Sequence, residues 1–341
     1  MSGDGTTVGA AHRAADDAAD RGTHASPDPA APGEAERPVP PGHVWIDGRI
    51  VAAATPVLTA FDRGFQLGDG IFETLRARGG HPTELTEHTA RMRRSADGLA
   101  IPLPDDLERR LAVAIDDLLA VERLAGPDGD ASVRITVSRG SYFGRGLLPP
   151  DEHPSPTIVV QAWPVAPPPP EHLEVGLHLV PSSVRRDPEN PLSALKTTSR
   201  ADYVFARVEA RTAGADDALF LTIDGYLSEA TSANLFLVRG TPGEGEAPEL
   251  ATPSLACAIL PGTTRDWILR WGGSVGLAPS EGWLTTRDLA EADEAFLSSS
   301  VAGILPVTRF SGEPIGSGRP GSWTLRARAD REAFIRGEGA H

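Results

Sequence analysis

Lysine is almost absent from this 341-residue chain. Of its 32 lysines plus arginines one is a lysine, Lys196, and the other 31 are arginine. The two cations differ chemically. A guanidinium stays protonated and forms no stable imine, whereas a desolvated amine can lose its proton and attack a carbonyl. A chain that meets nearly every other need for positive charge with arginine has kept one amine, which makes Lys196 the leading candidate nucleophile. Cysteine is just as scarce. The single Cys257 excludes an internal disulfide, fits a reducing cytoplasm and reads as a small buried residue. Long apolar runs are also missing. None approaches the ~18 residues that cross a bilayer, and the first residues lack the charged-then-apolar order of a secretory signal, so no membrane partner is expected. Nor is there a basic excess. A net charge of −15 argues against nucleic acid as a partner, because a surface that tracks phosphates needs positive charge.

What remains is an ordinary soluble composition, 40% hydrophobic and 23% charged, long enough for two domains. Residues 1–42 hold almost no large apolar side chain and are expected to be a disordered tail. Order is expected from residue 43, where Asp47-Gly48 between apolar runs marks a hairpin. A loop carrying FDRGFQLGDG follows, then a strand at IFETLRAR, helices near 86–99 and 105–124, and strands at VRITVSR and TIVVQAW. PVAPPPPE, residues 164–171, reads as a stiff, extended inter-domain linker. It separates a first α+β domain, 43–163, from a second, 172–337, in which strands and helices alternate. The fold class expected is a two-domain α+β protein.

Several side chains in the second half suit one chemistry. Lys196 lies in NPLSALKTTSR, between Ala-Leu and Thr-Thr. Glu229 lies among small residues in GYLSEATSANLFLV. Gly262-Thr263-Thr264 precedes a helical pattern, and Ser298-Ser299-Ser300 ends an apolar strand. An amine for an aldehyde, an acid for a pyridine nitrogen, and hydroxyl and N–H groups at a helix start for a phosphate are the parts that hold pyridoxal 5′-phosphate. Each of them alone is an everyday surface or capping residue.

Taken in order, the segments FDRGFQLGDGIFETLR, EHTARMRRS, the Lys196 segment, DGYLSEATSANLFLV, LPGTTRD and ADEAFLSSSVAGILPV resemble the class IV (fold type IV) pyridoxal-phosphate-dependent aminotransferase family from about His43 to Phe334. The resemblance implies that Lys196 binds the cofactor aldehyde and moves the substrate proton, and that Glu229 pairs with the pyridine nitrogen. It also implies that Arg91, Thr263, Thr264 and Ser300 hold the phosphate. A homodimer acting on a small amino or oxo acid is implied as well, with no metal.

The family contains branched-chain aminotransferases, D-amino acid aminotransferases and 4-amino-4-deoxychorismate lyases. Branched-chain enzymes read F-E-G-I-R where this chain has Phe72-Glu73-Thr74-Leu75-Arg76, and carry a tyrosine where it has Ala201. D-amino acid enzymes have tyrosine in place of Phe72 and a histidine two residues after the position of Arg145, where this chain has Leu147. The lyase pattern is more similar in F-E-T, in Arg139 to Gly146 and in Ser300-Val301, although Tyr142-Phe143 replaces a small pair. That likeness points to Thr74 as an aid to elimination. It makes Arg145, Tyr142, Phe72, Val301 and Ala302 the candidate substrate contacts. The expectation is therefore a lyase releasing pyruvate and 4-aminobenzoate. The alternatives are an amino acid aminotransferase and a non-catalytic binding protein of the same fold, the last disfavoured because such a protein needs neither Lys196 nor Glu229.

Overall fold

The computed structural model describes residues 41–149, 155–240 and 247–338. The expected disordered tail, 1–42, falls outside them except for its last two residues.

The first half forms a six-stranded antiparallel sheet in the order β2-β1-β6-β5-β3-β4. Its strands are β1 (His43–Ile46), β2 (Arg49–Ala52), β3 (Gly70–Arg78), β4 (His81–Pro82), β5 (Asp130–Ser138) and β6 (Thr157–Pro164). The helices of this half are α1 (Arg63–Leu67), α2 (Leu85–Leu99) and α3 (Leu107–Val121). The stripe Leu107, Leu111, Ile115, Leu118 and Leu119 on α3 is fully buried against the sheet. Each such side chain contributes roughly 1.5–3 kcal/mol by leaving water. In β5 and β6 every second residue is buried, so one face of the sheet meets the helices and the other is left for polar side chains.

The second half builds a nine-stranded mixed sheet, β12-β11-β10-β13-β14-β7-β8-β9, with β15 added to β14. Its strands are β7 (Leu177–Arg186), β8 (Asp217–Thr222), β9 (Leu227–Ala230), β10 (Asn234–Arg239), β11 (Glu249–Pro253), β12 (Ala278–Gly282), β13 (Glu294–Ser299), β14 (Gly303–Phe310) and β15 (Glu313–Pro314). Helices α4 (Pro170–Glu174), α5 (Ala201–Thr212), α6 (Thr263–Ser274), α7 (Thr286–Ala290) and α8 (Ser322–Ile335) complete it. Trp267 and Trp271 of α6 stack at 6.2 Å in a core with Phe236, Phe296 and Ala327.

Two local expectations need correcting. FDRGFQLGDG is not all loop, because Asp62 caps the short helix α1 by accepting from the Phe65 N–H. The proline run 164–171 is not extended throughout. β6 continues to Pro164, and α4 begins at Pro170, where a proline suits the first helical turn.

The halves meet, among other places, along β3. The Lys196 segment runs beside the start of β3: Phe72 N–H donates to the Lys196 carbonyl (2.9 Å) and Thr198 N–H to that of Gly70 (2.9 Å). Gly70 is small for a reason. A Cβ there would meet Val137 O at 2.8 Å and Thr198 Oγ1 at 3.1 Å, so the two strands close up only over a glycine.

Candidate active site

A cavity of about 540 Å³ opens where β3, the Lys196 segment, the β9–β10 turn, the start of α6 and the end of β13 converge. Phe72 and Thr74, two apart on β3, face it, while Glu73 between them turns to the opposite side toward α2.

Lys196 sits on this wall. Its backbone N–H donates to Ser95 Oγ on α2 (3.0 Å), and its Nζ lies 4.7 Å from the centre of the Phe72 ring. Burial of the amine, reinforced by the Arg91 charge, brings its pKa down to about 7, against the opposing pull of Glu73 and Glu229. Neutral Lys196 is therefore a substantial species near pH 7.

Glu229 lines the same cavity from β9 and accepts three hydrogen bonds. They come from Tyr203 Oη (3.3 Å), Asn234 Nδ2 (3.2 Å) and the Leu260 N–H (3.0 Å). Burial raises its pKa, and Arg186, the Leu260 N–H, Arg200 and Lys196 pull it back. Arg186 is itself buried, held between the rings of Tyr203 (4.1 Å) and Phe220 (4.0 Å). Burial and the Glu229 charge push the Tyr203 hydroxyl up to about 12, so it stays a donor.

At the other end, Arg91 reaches in from α2. A bidentate pair with Glu73 (Nε–Oε1 2.8 Å, Nη2–Oε2 2.6 Å) and a bond to the Pro261 carbonyl (2.9 Å) fix its fork. Burial opposes ionisation of Glu73, but the Arg91 charge and hydrogen bonds, with His88, hold its pKa at about 2. Gly262 caps α6, and Thr263, Thr264, Ser298 and Ser300 line the cavity beside Arg91. Helix-start N–H groups, hydroxyls and a fixed guanidinium make an anion seat.

The sequence-based candidates divide cleanly. Lys196, Glu229, Arg91, Thr263, Thr264, Ser300, Phe72, Thr74, Val301 and Ala302 all line this one cavity. Tyr142 and Arg145 do not, and Arg145 is exposed. Their loop is drawn onto the α1 segment instead. Arg63 donates to the carbonyls of Gly146 (3.2 Å) and Leu147 (2.7 Å), and Phe143 packs on Phe61 with ring centres 4.9 Å apart.

Two cations unnoticed in the sequence, Arg134 and Arg200, do line the cavity. Arg134 on β5 stands opposite Thr74 in the strand register, its guanidinium 4.0 Å from the Phe72 ring centre. Burial, then the charge of Arg200, lowers its pKa. Arg200 lies over Tyr203 (3.1 Å) and donates to the Thr231 carbonyl (2.8 Å). Neither has an ion-pair partner among the described residues. The polar alternation of VRITVSR put Arg134 on the cavity face, but only the register with β3 shows what it faces. Tyr203, Asn234 and His88 were missed for the same reason, their roles resting on contacts distant in sequence. No cluster able to hold a metal occurs among the described residues, and no helix there is long and apolar enough to cross a membrane.

Residues 70–310 match the family model described as amino-transferase class IV. The chain is 33% identical over 286 residues to a putative branched-chain-amino-acid aminotransferase of Methanocaldococcus jannaschii, covering 84% of this chain and 93% of the relative. It is 30% identical over 274 residues to the aminodeoxychorismate lyase of Bacillus subtilis, covering 80% and 88%. Among solved structures, the branched-chain amino acid aminotransferase of Escherichia coli aligns with a TM-score of 0.79 at 28% identity, over 87% of this chain and 96% of that one.

Proposed function

Because the chain belongs to the class IV aminotransferase family, we propose that it transfers an amino group between an amino acid and a 2-oxo acid, one of them a dicarboxylate. Class IV aminotransferases are pyridoxal phosphate enzymes, and the side chains lining the cavity fit that group. A half-neutral amine, a buried carboxyl with three donors on it and an anion seat share one cavity. Ser298 Oγ is buried there with no hydrogen-bond partner.

The observation that carries the proposal is the pair Arg134 and Arg200, two guanidiniums on the cavity wall with no ion-pair partner among the described residues. Both guanidiniums are half-buried and neither is tied up in a salt bridge among those residues, so the pair is available to carboxylates of the substrate. When bound, the cofactor supplies a sink for the electrons left behind as the substrate's α proton departs. The protein does the rest. Arg91, the N–H groups of Thr263 and Thr264, and Ser300 would hold the phosphate. Glu229, backed by Tyr203 and Asn234, would pair with the ring nitrogen. Lys196 Nζ would hold the cofactor covalently and, once displaced by the substrate's amino group, would be the free amine that takes the α proton and returns it. Phe72, packed over Lys196, keeps water from the amine.

A lyase is the second reading, favoured by Thr74 on the cavity wall opposite Arg134. Its substrate, 4-amino-4-deoxychorismate, also carries two carboxylates. One paired assay separates them. Amino-group transfer from L-glutamate, L-leucine or D-alanine to 2-oxo acids, with no 4-aminobenzoate from aminodeoxychorismate, is the expected result. Pyruvate and 4-aminobenzoate without transfer would establish the lyase.

A cytoplasmic homodimer fits this reading. Its support is a set of exposed apolar side chains, Phe65, Phe143, Leu147, Leu148, Val204 and Phe205, between 54% and 83% exposed in the single chain. Light scattering on the eluting protein checks it, with twice the 35.9 kDa chain mass expected.

A further inference from the structure

Behind the anion seat runs a chain of hydrogen bonds that leads away from the cavity into the interior. Glu73 Oε2 lies 2.8 Å from His88 Nδ1, His88 Nε2 lies 3.3 Å from Thr263 Oγ1, and Thr263 Oγ1 lies 3.3 Å from Ser300 Oγ. Glu73, His88 and Thr263 are buried, and Ser300 lines the cavity. The two hydroxyl contacts are longer than an ordinary hydroxyl bond, which leaves both hydroxyls free to turn.

Counting protons along the chain shows what it can do. Glu73 is a carboxylate, an acceptor only, so Nδ1 of His88 must carry a hydrogen. If Nε2 is bare, it accepts the Thr263 proton, and the Ser300 proton is then divided between Thr263 Oγ1 and the cavity. If Nε2 carries a hydrogen, it donates to Thr263, Thr263 donates to Ser300, and the Ser300 proton points into the cavity. Sulfate and a fully ionised phosphate accept and do not donate, so they favour the second arrangement, in which the Ser300 proton is committed to the cavity.

We infer that His88 is a positioning residue that couples anion binding to a proton: as an anionic group settles beside Ser300, Nε2 takes up a proton and the Thr263 and Ser300 hydroxyls turn toward the cavity. The inference rests on the reading that a phosphate group occupies this end of the cavity. The charged groups around His88 are Glu73 on β3, which stabilises the imidazolium, and Arg91 on α2, which opposes it at 3.4 Å. The Glu84–Arg331 pair stands beyond Thr264, and Lys196 lies across the cavity. Glu73 thus acts on both arms of the seat, fixing the Arg91 fork directly and the hydroxyls through His88.

Sulfate is the probe, because it fills a phosphate seat and carries no proton of its own across neutral pH. Calorimetric titration of the full-length, cofactor-free chain in buffers of different ionisation enthalpy gives the protons taken up per sulfate. Lys196 titrates beside the same cavity and contributes alike to wild type and variants, so the difference between them isolates the chain. The wild type and Thr263→Ser should take up more protons per sulfate than Thr263→Val, by up to about one, with affinity falling up to about tenfold per pH unit. The His88 ring nitrogen signals, assigned with His88→Gln, should move to imidazolium values when sulfate is added to wild type. Equal proton uptake in wild type and Thr263→Val, or unchanged His88 signals, overturns the inference. Absence of saturable sulfate binding overturns it as well, and a visible cofactor band in the same preparation then shows that the parent reading stands without it.

Discussion

The amine of Lys196 is held between two opposing demands. Burial and the Arg91 charge disfavour its proton, and Glu73 and Glu229 favour it, with the balance near neutrality at about 7. The nucleophile is the neutral amine, so the sign follows directly: cofactor attachment accelerates as pH rises through 7 and levels off above it. The rate of appearance of the visible band after mixing the cofactor-free chain with pyridoxal phosphate should rise several-fold between pH 6 and pH 8. A rate still climbing steeply above pH 9 would mean an amine with its ordinary proton affinity. Arg134 and Arg200 set a second expectation. Arg134→Ala or Arg200→Ala should raise KM for a dicarboxylate by roughly ten- to a hundredfold, the worth of one charge-assisted hydrogen bond, and raise it far less for L-leucine. Steady-state kinetics on the two donors decide it. Lys196 stood out in the sequence as its one amine and Glu229 through the family resemblance, and the structure brings both to one cavity. Arg134 was one arginine among many until the β3–β5 register set it opposite Thr74.

Elements were easier to read than residues. The α3 stripe and the alternation in β5 and β6 announce helix and strand because their apolar periods match a buried face. The exception, α1, has five residues in a glycine-containing segment, too short for any period to show, and it rests on the Asp62 cap. The start of α6 is the element on which the site depends. A Cβ on Gly262 would lie 2.1 Å from Asn234 Oδ1 and 3.2 Å from Arg265 Cβ. Asn234 also donates to Glu229 and to the Leu260 carbonyl. Gly262→Ala should therefore disturb the phosphate end and the Glu229 end together. About 1–3 kcal/mol of stability should be lost to overpacking, with weaker cofactor retention, read by thermal melts and by the visible band after dialysis. A variant of wild-type stability that keeps its cofactor would show that the helix start has slack.

At the scale of the whole molecule, a chain of net charge −15 surrounds a cavity on which Arg91, Arg134, Lys196 and Arg200 outnumber Glu229 among the charged lining residues. That contrast concentrates anions where they are used, and composition alone argued only against nucleic acid. The Glu73–Arg91–His88 cluster, buried where the two halves meet, ties global stability to pH. The folded pKa of Glu73 is depressed to about 2, so its contribution is fully present above its unfolded value near 4.5 and is lost as pH falls toward 2. Glu73→Gln should cost roughly 3–5 kcal/mol at pH 7, the usual result of breaking a buried pair. That difference from wild type should narrow as pH drops below 4 in urea melts. A constant difference across that range would place the cost elsewhere.

The most direct test returns to the lone amine. Borohydride reduction of the protein loaded with pyridoxal phosphate, followed by peptide mapping, should find the added mass on the peptide containing Lys196, and Lys196→Ala and Lys196→Arg should show neither that mass nor the visible band. Label found on another peptide, or a band unchanged in Lys196→Ala, would contradict the assignment of Lys196 as the residue that holds the cofactor.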